Sequence, residues 1–374
     1  GGLTSDNRAE ILQQIPAESI ERVEVIDNPS AKYSPEGSAG IINIILKRDR
    51  KAGYYGSVRA GVNTAGGWNT SGNINYSSGA LDAYANLGYR RRKNTGSALS
   101  EQTYLGSNTY QNYESDNERK GGNLFARAGL TWHMTKKDEL SLSGMTMMGE
   151  RDNLSTTPYR YGTVGAPTDS RVMFRRNTGE GDMRMYHAEL GYTHSFSDNH
   201  KLDLNVSFDR WKNDDDNYYQ DSTVFYDQPL PVEYSWQYRP MFINNRSWEV
   251  KADYENQLTE RLKLEAGYNG RFSHENTPQE SWADPTSWDG VARVEDRDYF
   301  NRFIYDMDVH AVYATLNAKL GRFGVMAGLR GEYWKVNTES YSWEQEHDAT
   351  LRDPAFSKDY FQLFPSLFLN YSLT

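Results

Sequence analysis

The sequence predicts an all-β chain: an antiparallel up-and-down transmembrane β-barrel, partial, with about 12 strands, preceded by the C-terminal piece of a small α/β domain. Three observations carry this. Apolar and polar residues alternate along one segment after another. The connections between these segments are short at one end and mostly long at the other. The opening stretch, up to Arg48, does not share the pattern.

Composition bounds the alternatives. Only 37% of the 374 residues are hydrophobic, and no run of eighteen apolar residues exists, so no transmembrane helix is expected. A membrane barrel escapes that test, because only every second residue of each strand faces lipid. The 27 Tyr and 9 Trp suit aromatic girdles, or equally a carbohydrate-binding surface. The absence of Cys excludes disulfide scaffolds and thiolate metal sites. A net charge of −10 argues against a nucleic-acid binder.

The elements follow in order. Pro16 suits a first helical position, with one short turn over Ala17 to Ile20 behind it. Arg22 to Ile26 reads as a strand, with Val23 and Val25 on one face and Arg22 and Glu24 on the other. Asn28-Pro29-Ser30 is a turn signal, and the stretch from Pro35 to Gly40 is a second turn. Ile41 to Leu46 is an apolar run, as in a strand buried on both faces, and Lys47-Arg48 ends it in water. Gly37 and Gly40 are no phosphate cradle, since the third glycine and the following helix are missing. On period alone, a fragment of a soluble αβ domain also remains open.

From Ala52 onward the text is alternation. Trp68, Thr70, Gly72, Ile74 and Tyr76 share one face, as do Leu81, Ala83, Ala85, Leu87 and Tyr89. The even positions from Leu124 to Met134, Leu202 to Phe208 and Leu262 to Phe272 repeat the rule, and the opposite face is often charged. Each segment has the length of a tilted membrane strand, and a charged second face fits a wet lumen. Short turns fall at Ser78-Gly79, Thr135 to Asp138, Ser197 to His200, Leu258 to Glu260 and Gly321. Long loops are expected over Lys93 to Lys120, Gly149 to Asp182, Lys212 to Asn245, Ser273 to Asp306 and Asn337 to Tyr360. Only the connection near Asn63 to Gly67 is brief at that end. Short periplasmic turns with long extracellular loops give this alternation.

The opening stretch adds a resemblance. The runs Ser19 to Val25, Asn28 to Tyr33 and Gly40 to Lys47 resemble the end of the plug domain of TonB-dependent outer-membrane receptors. The likeness is greater to the variants grouped only as an outer-membrane β-barrel family. One departure is Asn28, where the family has Gly. Asn also tolerates unusual turn conformations. The resemblance implies a boundary between residues 1–48, the C-terminal part of a plug, and residues 49–374, the N-terminal part of a barrel. The family barrel has about twenty-two strands, so the chain is expected to be a piece truncated at both ends. It implies a place in a Gram-negative outer membrane, in contact with its lipid. It further implies energised uptake of a nutrient (iron chelate, vitamin, glycan or peptide), a TonB complex pulling on the plug, and a surface lipoprotein as a further partner. By the same resemblance, Glu21, Arg22 and Glu24 contact the inner barrel wall, for which Arg127, Lys263, Glu265 and Arg271 offer partners.

No catalytic or cofactor site is expected. The seven His form no His-Glu-x-x-His pattern, and no Gly-x-Ser-x-Gly elbow occurs. His187 and Glu189 share a strand face, as lumen-lining residues do. Asp214-Asp215-Asp216 with Asp221, and Glu344, Glu346, His347 and Asp348, read as solvated loops and not metal sites. Loop aromatics are the ligand-binding candidates: Tyr159 and Tyr161 in one loop; Tyr234, Trp236 and Tyr238 in a second; Trp282 and Trp288 in a third. Such rings stack on sugars or grip peptides, but they also pack loops or sit at headgroup level. Arg90 to Lys93 reads as a contact with the anionic sugar-lipid surface or as a plain snorkelling rim. Two other classes stay open: a non-transporting adhesin or glycan-capture barrel, and a complete twelve-stranded porin-like channel.

Overall fold

The structure is a computed structural model, and it describes residues 20–26, 32, 41–46 and 53–373. β1 (Ile20–Ile26) and β2 (Ile41–Leu46) form an antiparallel pair, with Val23 opposite Ile44 and Ile26 opposite Ile41. The helical turn expected behind Pro16 lies outside the described residues, as does the Glu21 side chain.

The rest is one antiparallel sheet. Its strands are β3 (Gly53–Val62), β4 (Trp68–Ser77), β5 (Leu81–Tyr104), β6 (Thr109–His133), β7 (Asp138–Thr163), β8 (Arg171–Ser197), β9 (His200–Phe225), β10 (Glu233–Thr259), β11 (Leu262–Gln279), β14 (Asn301–Leu320), β15 (Phe323–Tyr341) and β16 (Phe356–Tyr371). Each pairs with the next along the path β3 to β16, in up-and-down order. Two short strands, β12 (Trp282–Asp284) and β13 (Val294–Glu295), lie off that path between β11 and β14.

Pairing turns the alternation of each segment into one continuous face. Across successive strands Ala83 meets Leu130, Leu130 meets Leu142, Leu142 meets Leu190, Leu190 meets Val206, and Val206 meets Val250. The same face runs on through Leu316 beside Leu264 and through Leu367 beside Ala327. It is not a dry core: Leu142 is 52% and Leu190 47% exposed. An apolar band open on twelve strands is what lipid contact requires. We call this the outer face, and the end with the short turns the lower end.

The inner face carries charge. His187 sits between Asp209 (2.6 Å) and Glu189 (3.3 Å), and Asn205 donates to Glu189 at 2.7 Å. Lys263 contacts Glu255 at 2.5 Å and Glu265 at 3.8 Å. Arg127 lies 4.7 Å over the Tyr84 ring. Toward β14 and β15 this face is closed off: Val309, Ala311, Tyr313, Thr315, Arg330 and Glu332 are all buried.

The long connections are corrected by the structure. They are mostly strand. β5 and β6 pair from Leu81 opposite Trp132 up to Tyr104 opposite Thr109, and β7 with β8 and β9 with β10 are as extended. Antiparallel pairing satisfies the backbone groups that open loops would leave to water. The acidic clusters move accordingly. Asp214, Asp215 and Asp216 lie within β9. Glu344, Glu346 and His347 belong to a short helix, α1 (Trp343–His347), where Glu346 pairs with Arg302 at 2.9 Å.

The lower turns are tight and capped. Gly321 takes φ +66° in the two-residue turn before β15, a conformation that side chains with a Cβ resist. In the turn from β6 to β7, Asp138 accepts hydrogen bonds from Tyr192 (2.5 Å), His194 (2.7 Å) and Thr135 (2.7 Å). These donors hold its carboxyl well below the usual carboxylate range. A depressed folded-state value stabilises the fold above the unfolded value and loses that stabilisation as pH falls through the folded one. Asp138→Asn is therefore expected to lower the thermal midpoint at pH 7. The gap from the parent should close as pH drops below about 4; a gap constant down to pH 2 would refute the assignment.

Candidate functional site

Strand parity sorts the candidate aromatics. Tyr159 and Tyr161 are odd positions of β7, whose even positions carry the lipid face, so both rings line the inner wall. Tyr234, Trp236 and Tyr238 are even positions of β10, in unbroken register with Trp248 and Val250, so they lie on the outer face. Trp282 pairs with Tyr238 and lies on the same side. The seven residues therefore form two separate groups, and neither is a free loop cluster.

The inner group is the upper wall of β6 to β9. The Tyr113 and Tyr159 rings are 5.2 Å apart. Arg171 lies 4.2 Å over Tyr161. Arg175 lies 5.9 Å from the Tyr159 ring and 5.3 Å from Tyr219. Its fork makes two bonds to Asp221, at 2.9 and 3.1 Å, which fix it. Below them Arg151 pairs with the buried Asp215. The result is a wall of aromatic faces and oriented guanidinium groups above the charged lumen. Such a wall can stack a planar or sugar-like solute and hold its anionic groups. Arg171, Arg175, Tyr113 and Tyr219 were not singled out from sequence. Their signal was available in the odd-position parity of β6, β8 and β9.

The outer group is packed, not presented. Trp236 is only 5% exposed. Arg293 lies 4.8 Å over its ring, and Gly290 (φ +69°) comes so close that a Cβ there would strike the indole. The segment from Pro285 to Arg293 is held by Asp284, which is fully buried. It accepts from the Thr286 amide (2.9 Å) and hydroxyl (2.7 Å), the Ser287 hydroxyl (2.5 Å) and the Ala292 amide (2.9 Å). These bonds keep its carboxyl far below the ordinary range. The Trp288 carbonyl accepts from Gln220 at 3.0 Å. Trp236 and its neighbours thus anchor a surface lobe. Tyr234, at the strand's end, stays exposed.

At the lower end, Lys32 shares a small cavity with Asp203, Asp253, Glu255, Glu265 and Tyr313 of the inner wall. Glu24 lies within Coulombic reach of Lys263. Arg22 bonds Glu24 at 2.9 Å along its own strand.

Residues 194–374 match the model of the outer membrane protein beta-barrel family. This chain is an outer-membrane β-barrel protein. The match spans the second half of the sheet, from the end of β8 through β16, where the lipid-facing rows continue without a break. No curated protein matches the chain. Similar solved structures include the siderophore receptor PiuA from Acinetobacter baumannii, at 11% identity over 93% of this chain and 69% of that one, TM-score 0.31. The toluene transporter TodX of Pseudomonas putida is 11% identical over 84% and 86%, TM-score 0.25. The outer membrane protease OmpT from Escherichia coli is 9% identical over 78% and 96%, TM-score 0.24. None of these likenesses carries a ligand or an activity to this barrel.

Proposed function

We propose that this barrel is the wall of a plug-gated, TonB-dependent receptor for energised nutrient uptake, with residues 1–48 as the end of the plug. The observation that carries this reading is the place of the β1–β2 segment. It bears the plug-like sequence, and its Lys32 and Glu24 lie against complementary charges of the inner wall. Glu24 is assigned to plug seating on that ground, and Glu21 and Arg22 by the family resemblance. The nutrient enters from the upper end and meets Tyr159 and Tyr161 beside Arg171 and Arg175. The TonB complex acts from the periplasmic side, and a surface lipoprotein is the partner in capture.

The test is growth of a strain lacking the protein on iron chelates, vitamins, glycans and peptides supplied singly. One class should fail, should be restored by the parent gene, and should fail again without the inner-membrane energising complex. Glu24→Lys, which faces Lys263 with a like charge, should lower that uptake by about tenfold or more while the protein stays in the membrane. If no nutrient depends on the protein, or dependence survives loss of the energising complex, the scaffold reading replaces this one.

A further inference from the structure

Just above the apolar band, four cations stand in two like-charged pairs. Arg184 of β8 is directly opposite Lys212 of β9, and Arg210 of β9 is directly opposite Arg246 of β10. All four are even positions and share the outer face with Leu190, Val206 and Val250. Like charges directly opposite in a sheet repel, so such pairs are costly when left alone. Among the described residues none of the four makes an ion pair, and the Nε of Arg210 is enclosed without a hydrogen-bond partner. Arg184 and Arg246 are exposed.

The surroundings say what neutralises them. Immediately below lie Tyr186, Phe208 and Trp248, the last two rings 4.7 Å apart, at the upper edge of the lipid-facing band. Immediately above, on the same face, stand Asp182 and Asp214, which are paired with each other across the strands. Strands are about 4.8 Å apart, so the four cations cover a patch ~10 Å across. An anion is attracted at one level only. Higher up it meets carboxylates, and lower down it leaves water.

We propose that this patch seats the phosphate groups of an outer-leaflet glycolipid. The guanidinium groups of Arg184, Arg210 and Arg246 take phosphate oxygens by paired N–H bonds, with Lys212 as a point charge. The acyl chains then run down over Phe208, Trp248, Val206 and Val250. The carboxylates above fix the depth of the headgroup. The patch lies on the side of the wall away from the lumen and acts independently of any transported solute.

The test uses the intact protein in detergent, titrated with lipid A, an acylated glucosamine disaccharide carrying two phosphates. The same lipid stripped of phosphate and free inorganic phosphate are the comparison probes. Bound lipid is counted by native mass spectrometry, and thermal midpoints are recorded with and without lipid. The parent should bind lipid A at least about tenfold more tightly than R210Q/R246Q, and R210K/R246K should keep most of the affinity. The stripped lipid should not distinguish parent from variant, and inorganic phosphate should not displace lipid A. Without lipid, R210Q/R246Q should be at least as stable as the parent, because a repulsion has been removed. Lipid A should then raise the midpoint of the parent only. Equal binding of the two lipids, equal binding by parent and variant, displacement by inorganic phosphate, or a lipid-free variant less stable than the parent would each overturn the proposal.

Discussion

Leu190→Arg is expected to cost the folded barrel about 2–4 kcal/mol, whereas Ser207→Arg, on the adjacent strand, costs under about 1 kcal/mol. The two positions differ by one step of the pleat. Leu190 lies between Leu142 and Val206 in the apolar row and is open to lipid. It sits between the ring-bearing positions Phe196 at the lower end and Tyr186 above, so a charge there is placed inside the apolar band. Ser207 faces the lumen, opposite Glu189 on one side and Glu249 on the other. An arginine at Ser207 finds water and two carboxylates; at Leu190 it finds neither. Denaturant unfolding of both variants, folded into phosphatidylcholine vesicles, measures the difference. Equal costs would mean that the two faces have been assigned the wrong way round.

That contrast was legible in the sequence, because a strand has a period of two and lipid demands an apolar residue at every second place. The rows through Leu81, Leu124, Leu202 and Leu262 required no structure to find. The short turns at Ser78-Gly79 and Gly321 were equally plain. The upper ribbons were not. Between Thr95 and Tyr104 both faces are open to water, so the sequence has no reason to alternate there. Only cross-strand pairing shows that these stretches are strands and not loops, and pairing is a long-range fact.

The same ignorance split the candidate site. Tyr159 and Trp236 look alike in sequence, each an aromatic near another in a polar stretch. Once the strands are known to continue, an odd position on β7 must look inward and an even one on β10 outward. Arg175 belongs to the site for the same reason. Its partners Tyr159, Tyr219 and Asp221 come from both neighbouring strands. The buried lobe over Trp236 depends on Asp284, which gathers the turn from Thr286 to Ala292, and on Gly290, whose close approach to an indole on another strand is long-range along the chain.

The inner wall of β15 is the place where alternation predicts water and the structure has none. Arg330 and Glu332 alternate with Leu329, Gly331 and Tyr333 and so face inward, yet each is 5% exposed. Arg330 Nε donates to Glu332 at 2.9 Å, and the Trp334 indole N–H donates to the other carboxylate oxygen at 3.0 Å. Tyr313, opposite Arg330, is buried as well and donates to Asp253. An ion pair out of water is held by mutual attraction against a large desolvation cost, so losing one member removes the other's adjacent counter-charge while it stays buried. Arg330→Met is therefore expected to destabilise the barrel by about 3–5 kcal/mol, and Glu332→Leu by a similar amount. The double variant, with both charges gone, should lie within about 1–2 kcal/mol of the parent. The double-mutant cycle then yields a coupling of several kcal/mol, against about 0–1 kcal/mol for a pair in a wet lumen. Unfolding midpoints of the four proteins in the same vesicles decide between these. A small coupling would return β15 to the water-filled channel that its alternation alone describes.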